Sequence, residues 1–250
     1  MQFNIKHSFY YLCVLIFTAV MVAGCGTRSI SNSGYYADSD RGYGQRNSPF
    51  YKGELNEFDV LGIDAKSPIA EVDIQKSLVA KSRITVLKGS SIMLIQSGAM
   101  IPDEDMVKGM EKYYNVAVFT GVPHAEGGTP GDSYAKALRY AAAKGGYEKL
   151  MVYWGLLETG REDMATKVVS WIPFIGGAIP DETQRMRIRM KVVIVDVQSG
   201  QWDMFSPPPF EDKDSSGRHS RVSSDQTQVA VLKAKAYQST VEDVAKRFAK

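Results

Sequence analysis

The chain has 250 residues, with 30 Lys+Arg against 28 Asp+Glu, 44% apolar residues, 22 Gly, 10 Pro and 2 Cys. These proportions exclude a wholly disordered or collagenous chain, and two cysteines cannot build a disulfide-dense scaffold. A net charge of +2 argues against a dedicated nucleic-acid binder, which needs a large local excess of Lys and Arg to hold phosphates; the length allows about one domain.

Lys6 and His7 precede an apolar run over residues 9–22, too short for an ordinary transmembrane helix and of the size of a signal-peptide core. The run ends in Val22-Ala23-Gly24-Cys25, which resembles the lipobox of bacterial lipoproteins. That resemblance implies residues 1–24 as a signal peptide, cleavage between Gly24 and Cys25, and acylation of the Cys25 thiol. The alternative is ordinary secretion with Cys25 as a free thiol. Acylation of Cys25 and loss of Cys13 with the signal leave no thiol for a disulfide or a nucleophile. Loss of the signal also removes Lys6 and no acid, so the formal charge falls from +2 to about +1. Two or more acyl chains give lasting membrane attachment where one is marginal. Gly26 stands where inner-membrane lipoproteins of enteric bacteria carry Asp, so the resemblance implies the outer membrane, with the periplasmic or surface side left open.

Residues 26–52 are rich in Gly, Ser, Asn, Arg and Tyr, including Tyr35, Tyr36, Tyr43 and Tyr51, and show no apolar period. With Cys25 they read as a lipidated, flexible linker over 25–52. Such a linker has a root-mean-square span of about 30 Å and an extended limit near 90 Å, enough to let a domain stand off from the membrane. The globular domain is then 53–250.

Within it, Ser67-Pro68 followed by Ile69, Val72, Leu78 and Val79 predicts a capped amphipathic helix to about Lys81 that packs on a sheet. Residues 83–87 and 91–96 predict two short strands joined at Lys88-Gly89-Ser90. Pro102-Asp103-Glu104-Asp105 opens a helix to about Tyr114, its acids placed where the helix dipole favours them. Residues 115–122 predict a strand, and Asp132 or Ser133 caps a helix over 134–144 with the small-residue face Ala135, Leu138, Ala141 and Ala142, ended by Gly145-Gly146.

Residues 149–157 read as a buried strand bounded by Glu158-Thr159-Gly160, and 158–184 as an apolar insertion loop. Residues 185–197 and 201–205 predict a hairpin about Ser199-Gly200, residues 206–227 a polar loop, and 228–250 a final helix with Val229, Leu232, Val241, Val244 and Phe248 inward. This order predicts an α/β fold, a mixed β-sheet flanked by helices.

The segment Ala141-Ala142-Ala143-Lys144-Gly145-Gly146-Tyr147-Glu148-Lys149-Leu150-Met151-Val152-Tyr153-Trp154-Gly155 resembles the helix, glycine, acidic residue, apolar strand, glycine run of periplasmic TolB N-terminal-like domains. That group includes curli-pore lipoproteins and lipoprotein activators of penicillin-binding proteins. The resemblance spans at most 67–250, with the 158–184 insertion as a departure. It implies that fold, and by analogy partner binding or a place in a ring or pore assembly.

No residue is assigned to catalysis, to a cofactor or to a metal, and the reading leans away from an enzyme. His124 and His219 lack a second histidine at metal-ligand spacing. Asp132-Ser133 near His124 lacks a G-x-S-x-G elbow and reads better as a helix cap, and no Gly-rich phosphate loop is present. Asp103, Glu104 and Asp105 are consecutive and point in different directions, unlike opposed catalytic carboxylates. The competing reading is an envelope hydrolase built around His124, Ser133 or His219.

Two features qualify as a candidate interface. Alternation in Arg185-Met186-Arg187-Ile188-Arg189-Met190-Lys191 sends Arg185, Arg187, Arg189 and Lys191 to one strand face and the apolar residues to the other. That row suits an anionic protein, lipid headgroups or cell-wall polymer, or else is a solvated face paired with acids from a neighbouring strand. Residues 168–180 include Trp171, Ile172, Pro173, Phe174 and Ile175; two prolines and a Gly pair forbid a long helix or central strand, so the segment covers the core or contacts a partner. The partners expected are the membrane through Cys25, and an envelope protein or a second copy of the chain, with no nucleic acid.

Overall fold

The structure is a computed structural model that describes residues 26–33, 51–64, 66–80, 84–123, 131–163, 180–217 and 221–248. The described elements are β1 (Gly26–Ser29), a 3-10 turn (Ile30–Asn32), α1 (Glu57–Leu61), α2 (Glu71–Val79), β2 (Ser91–Gln96), α3 (Glu104–Glu111) and β3 (Asn115–Phe119). They continue with α4 (Gly131–Lys144), β4 (Lys149–Asp163), β5 (Pro180–Asp196), β6 (Trp202–Phe205), β7 (Phe210–Gly217) and α5 (Arg221–Phe248). As the element order predicted, they form an open mixed sheet flanked by helices. No described helix is long and apolar enough to cross a membrane.

The sheet has two halves that share β4 and β5. In the proximal half the order is β3-β2-β4-β5-β6, with β2 parallel to β3 and β4 and the remaining pairs antiparallel. Beyond it β4 and β5 continue as a ribbon, flanked by β1 on β4 and β7 on β5, both antiparallel. Because β3 and β4 lie on opposite sides of β2, right-handed crossovers place α3 and α4 on opposite faces.

Alternation along the strands feeds two cores. Tyr153, Leu157, Met186, Ile188, Met190 and Val192 meet α3 and α5 on one face, where Val229, Leu232, Val241, Val244 and Phe248 are buried as expected. Leu150, Val152, Trp154, Val193 and Val195 meet Leu138 and Ala142 of α4 and Val60 of α1 on the other. The hairpin about Ser199-Gly200 also forms: Asp196 accepts from the Ser199 N–H and hydroxyl, each at 2.7 Å, and Gly200 has φ +74°, which favours glycine.

Several elements differ from the sequence expectations. The linker read from residue 26 onward is structured at its start: Gly26–Ser29 form β1, Ile30 is buried, and the described residues 51–56 pack on the domain through Leu55. Gly155 explains the approach, since a Cβ there would lie 2.4 Å from Ile30 Cδ1. Residues 84–87 are not a strand, although Ile84 and Val86 are buried and the Val86 N–H donates to the Phe248 carbonyl at 3.3 Å.

Ser67 does not cap the first predicted helix; its hydroxyl donates to Asp64 instead, α2 starts at Glu71 behind Ala70, and none of its residues is buried. Asp132 and Ser133 lie within α4 rather than before it. The bounding turn at Glu158-Thr159-Gly160 is absent, because β1 pairs with β4 as far as Thr159 and β5 carries it on to Asp163, and β5 begins at Pro180 within the expected loop. The polar loop over 206–227 contains β7 and the first turns of α5.

Candidate interaction surfaces

At the carboxyl end of β2, beside Tyr153 of β4, the amino-terminal segment is locked to the core by a polar cluster. Gln96 ends an apolar strand and is itself buried. Its Oε1 accepts from the Tyr153 hydroxyl at 2.6 Å and from the Asp103 N–H at 2.7 Å, while its Nε2 donates to Ser31 Oγ at 3.0 Å. Ser31 Oγ in turn donates to the Ser97 carbonyl at 2.6 Å, and Ser97 Oγ accepts from the Leu55 N–H at 2.7 Å.

Asp103 accepts a short hydrogen bond from the Tyr237 hydroxyl and pairs with Lys233 Nζ at 2.6 Å. That ammonium also donates to the Ile30 carbonyl at 3.3 Å. Burial, and then the charge of Asp103, pushes the Tyr153 phenol well above its ordinary value; burial also raises Tyr237, with Tyr153 and Asp103 adding to it. Both phenols therefore act as donors in the neutral range. The cluster fills, with the chain's own residues, the space beside the carboxyl end of β2, the kind of place where open α/β sheets bind small molecules. The sequence signal for it was a glutamine closing an otherwise apolar strand.

The second surface is the distal half of the sheet. Met186, Ile188 and Met190 are buried and Arg185, Arg187 and Arg189 exposed, as the period-two reading required. The row is partly paired with a neighbouring strand. Glu158 of β4 accepts from Arg187 at 2.6 Å and Arg189 at 2.8 Å. Lys191 holds a short ion pair with Glu57 of α1 and sits 5.8 Å from the centre of the Trp154 ring. Leu156 on the same face is 41% exposed.

The third surface is α2, whose Val72, Ile74, Leu78 and Val79, with Ile69 just before it, are all exposed. Just past its carboxyl end, the Gln201 side-chain amide donates to the Ala80 carbonyl at 2.9 Å.

Other predicted positions divide between these surfaces and undescribed chain. Gly24, Cys25, His124, Trp171, Ile172, Pro173, Phe174, Ile175 and His219 lie outside the described residues. Ser133 is exposed on α4. Glu104 pairs with Lys108 at 2.6 Å on the surface of α3, while Asp103 belongs to the buried cluster, so the three consecutive acids do not share a site. Among the described residues no group of three or more His, Cys, Asp or Glu is placed to hold a metal ion.

The solved structures that resemble the chain include a pair at low identity. One is a PelC variant dodecamer from Paraburkholderia phytofirmans, at 10% identity and TM-score 0.28 over 63% of this chain and 92% of that one. The other is lipoprotein GNA1162 from Neisseria meningitidis, at 15% identity and TM-score 0.24 over 58% of this chain and 99% of that one. No curated protein matches. Residues 56–247 match the family described as YafT bacterial lipoprotein, a span that takes in α1 to α5, save the last residue of α5, and all described strands but β1. The chain belongs to the YafT family of bacterial lipoproteins, which places it at a membrane of the cell envelope.

Proposed function

We propose that the protein is a non-catalytic outer-membrane lipoprotein, cleaved between Gly24 and Cys25 and acylated on Cys25, whose α/β domain binds another envelope protein or a second copy of itself. The observation that carries this reading is α2. A helix with none of its residues buried and with Val72, Ile74, Leu78 and Val79 open to water holds apolar area that the fold leaves uncovered, as contact sites do. The apolar sequence around Trp171-Ile172-Pro173-Phe174-Ile175 adds a second candidate contact. The Gly24-Cys25 junction after an apolar run supports the anchor, and Gly26 supports the outer membrane.

Crosslinking of the native lipoprotein in intact envelopes, followed by its purification and mass spectrometry, tests the role. A specific adduct with one envelope protein, or with the chain itself, is expected, and it is lost when Val72, Leu78 and Val79 are replaced by Ser. Recovery of no specific adduct would move the reading to the envelope hydrolase.

A further inference from the structure

We propose that the open face of the distal half-sheet rests on the anionic headgroups of the bilayer that anchors the chain. The proposal depends on the acylation of Cys25 inferred above, and it assigns the basic row a lipid partner, leaving α2 for protein contacts.

The register of β1 sets the geometry. Gly26 pairs with Thr159 of β4, and Thr159 pairs with Met186 of β5, so β1 starts level with Met186, next to Arg185. Neighbouring strands lie about 4.8 Å apart and successive Cα atoms about 3.8 Å apart. The Cα of Gly26, the residue that follows Cys25 in the sequence, therefore lies within about 12 Å of the end of the basic row. Acyl chains attached to Cys25 hold this end of the sheet at the membrane surface rather than at the end of a long tether.

The face that meets the surface follows from burial and charge. The opposite side of the ribbon packs Met186, Ile188 and Met190 into the core with α5. On the open side the cations form the outer layer: the side chains of Arg187 and Arg189 are 44% and 53% exposed, whereas Glu158 between them is 21% exposed. Glu57 lies beside Lys191, and Glu211 stands across from Arg187 on β7. Among the described side chains of this face four cations thus meet three carboxylates, with Lys213 of β7 in register with Arg185, and the guanidinium groups are outermost and suited to bidentate contact with phosphate.

Arginine-selective dicarbonyl labelling of the native lipoprotein, read by mass spectrometry, tests the assignment. The protein is compared in phosphatidylglycerol-rich vesicles, in phosphatidylcholine vesicles and in detergent, and the amino-terminal peptide is weighed in the same digest. Arg187 and Arg189 are expected to label about fivefold more slowly in the anionic vesicles, the factor that one cation's attraction to an anionic surface corresponds to. The protection disappears in 1 M salt, where the screening length falls to about 3 Å. Arg247, exposed on α5, stays constant. Equal labelling in both kinds of vesicle, with an acylated peptide, overturns the proposal and leaves the anchor standing. Protection that persists in detergent and grows with protein concentration overturns it in favour of a second copy. An unacylated amino-terminal peptide removes the anchor and the proposal together.

Discussion

Asp196 shows how one carboxylate fixes a turn. Burial alone would raise its pKa, but hydrogen bonds from Lys149 and from the Ser199 N–H and hydroxyl outweigh burial and hold it at about 2, below the ordinary 3.8. A depressed native value means that the carboxylate's contribution is complete above the unfolded pKa and is lost as pH falls through the folded one. Denaturant titrations from pH 5 to pH 2 should therefore show Asp196→Asn losing less stability on acidification than the parent, by about 1 kcal/mol after solvent screening. Tyr237→Phe removes the hydroxyl that donates to the half-buried Asp103 carboxylate, and chemical denaturation should show a loss of about 1–3 kcal/mol. The Asp103 role was not legible in sequence: an acid at a helix start is adequately explained by the dipole, and Lys233 and Tyr237 lie on a helix more than a hundred residues away.

At the scale of elements, legibility followed local periodicity. The Arg-Met-Arg-Ile-Arg-Met-Lys run had to be a strand with one buried face, and the apolar positions of α5 had to face a core, because spacing alone dictates both. Elements held by distant partners gave no such signal. Gly-Thr-Arg-Ser becomes β1 because β4 offers an edge, and Phe-Glu-Asp-Lys-Asp-Ser-Ser-Gly becomes β7 through β5, with Phe210 its one contribution to the apolar core. Among the surfaces, the basic row was readable, whereas the isolation of α2 was not: its apolar residues predicted packing on the sheet, and the fold turns them outward. Replacing Val72, Leu78 and Val79 by Ser should accordingly change unfolding free energy by no more than about 0.5 kcal/mol each, as for exposed sites. Thermal denaturation checks this, and a larger loss would mean that α2 packs.

At the scale of the whole molecule, the mixed sheet is legible from element order, while the bond between the two ends of the chain is not. Ile30 is 1% exposed and reaches into the space over Gly155, so Ile30→Ala should cost about 2–4 kcal/mol. Hydrogen exchange should then show β1 opening ahead of the rest of the sheet. An unchanged exchange pattern would mean that the segment does not depend on that side chain.

The link from Lys233 to the Ile30 carbonyl spans 203 positions. A polypeptide exported amino terminus first emerges with Ile30 long before its anchoring lysine has crossed. On the proposed export and acylation of Cys25, the leading residues would stay open to processing enzymes until the last helix arrives, so cleavage and acylation would precede closure of the fold.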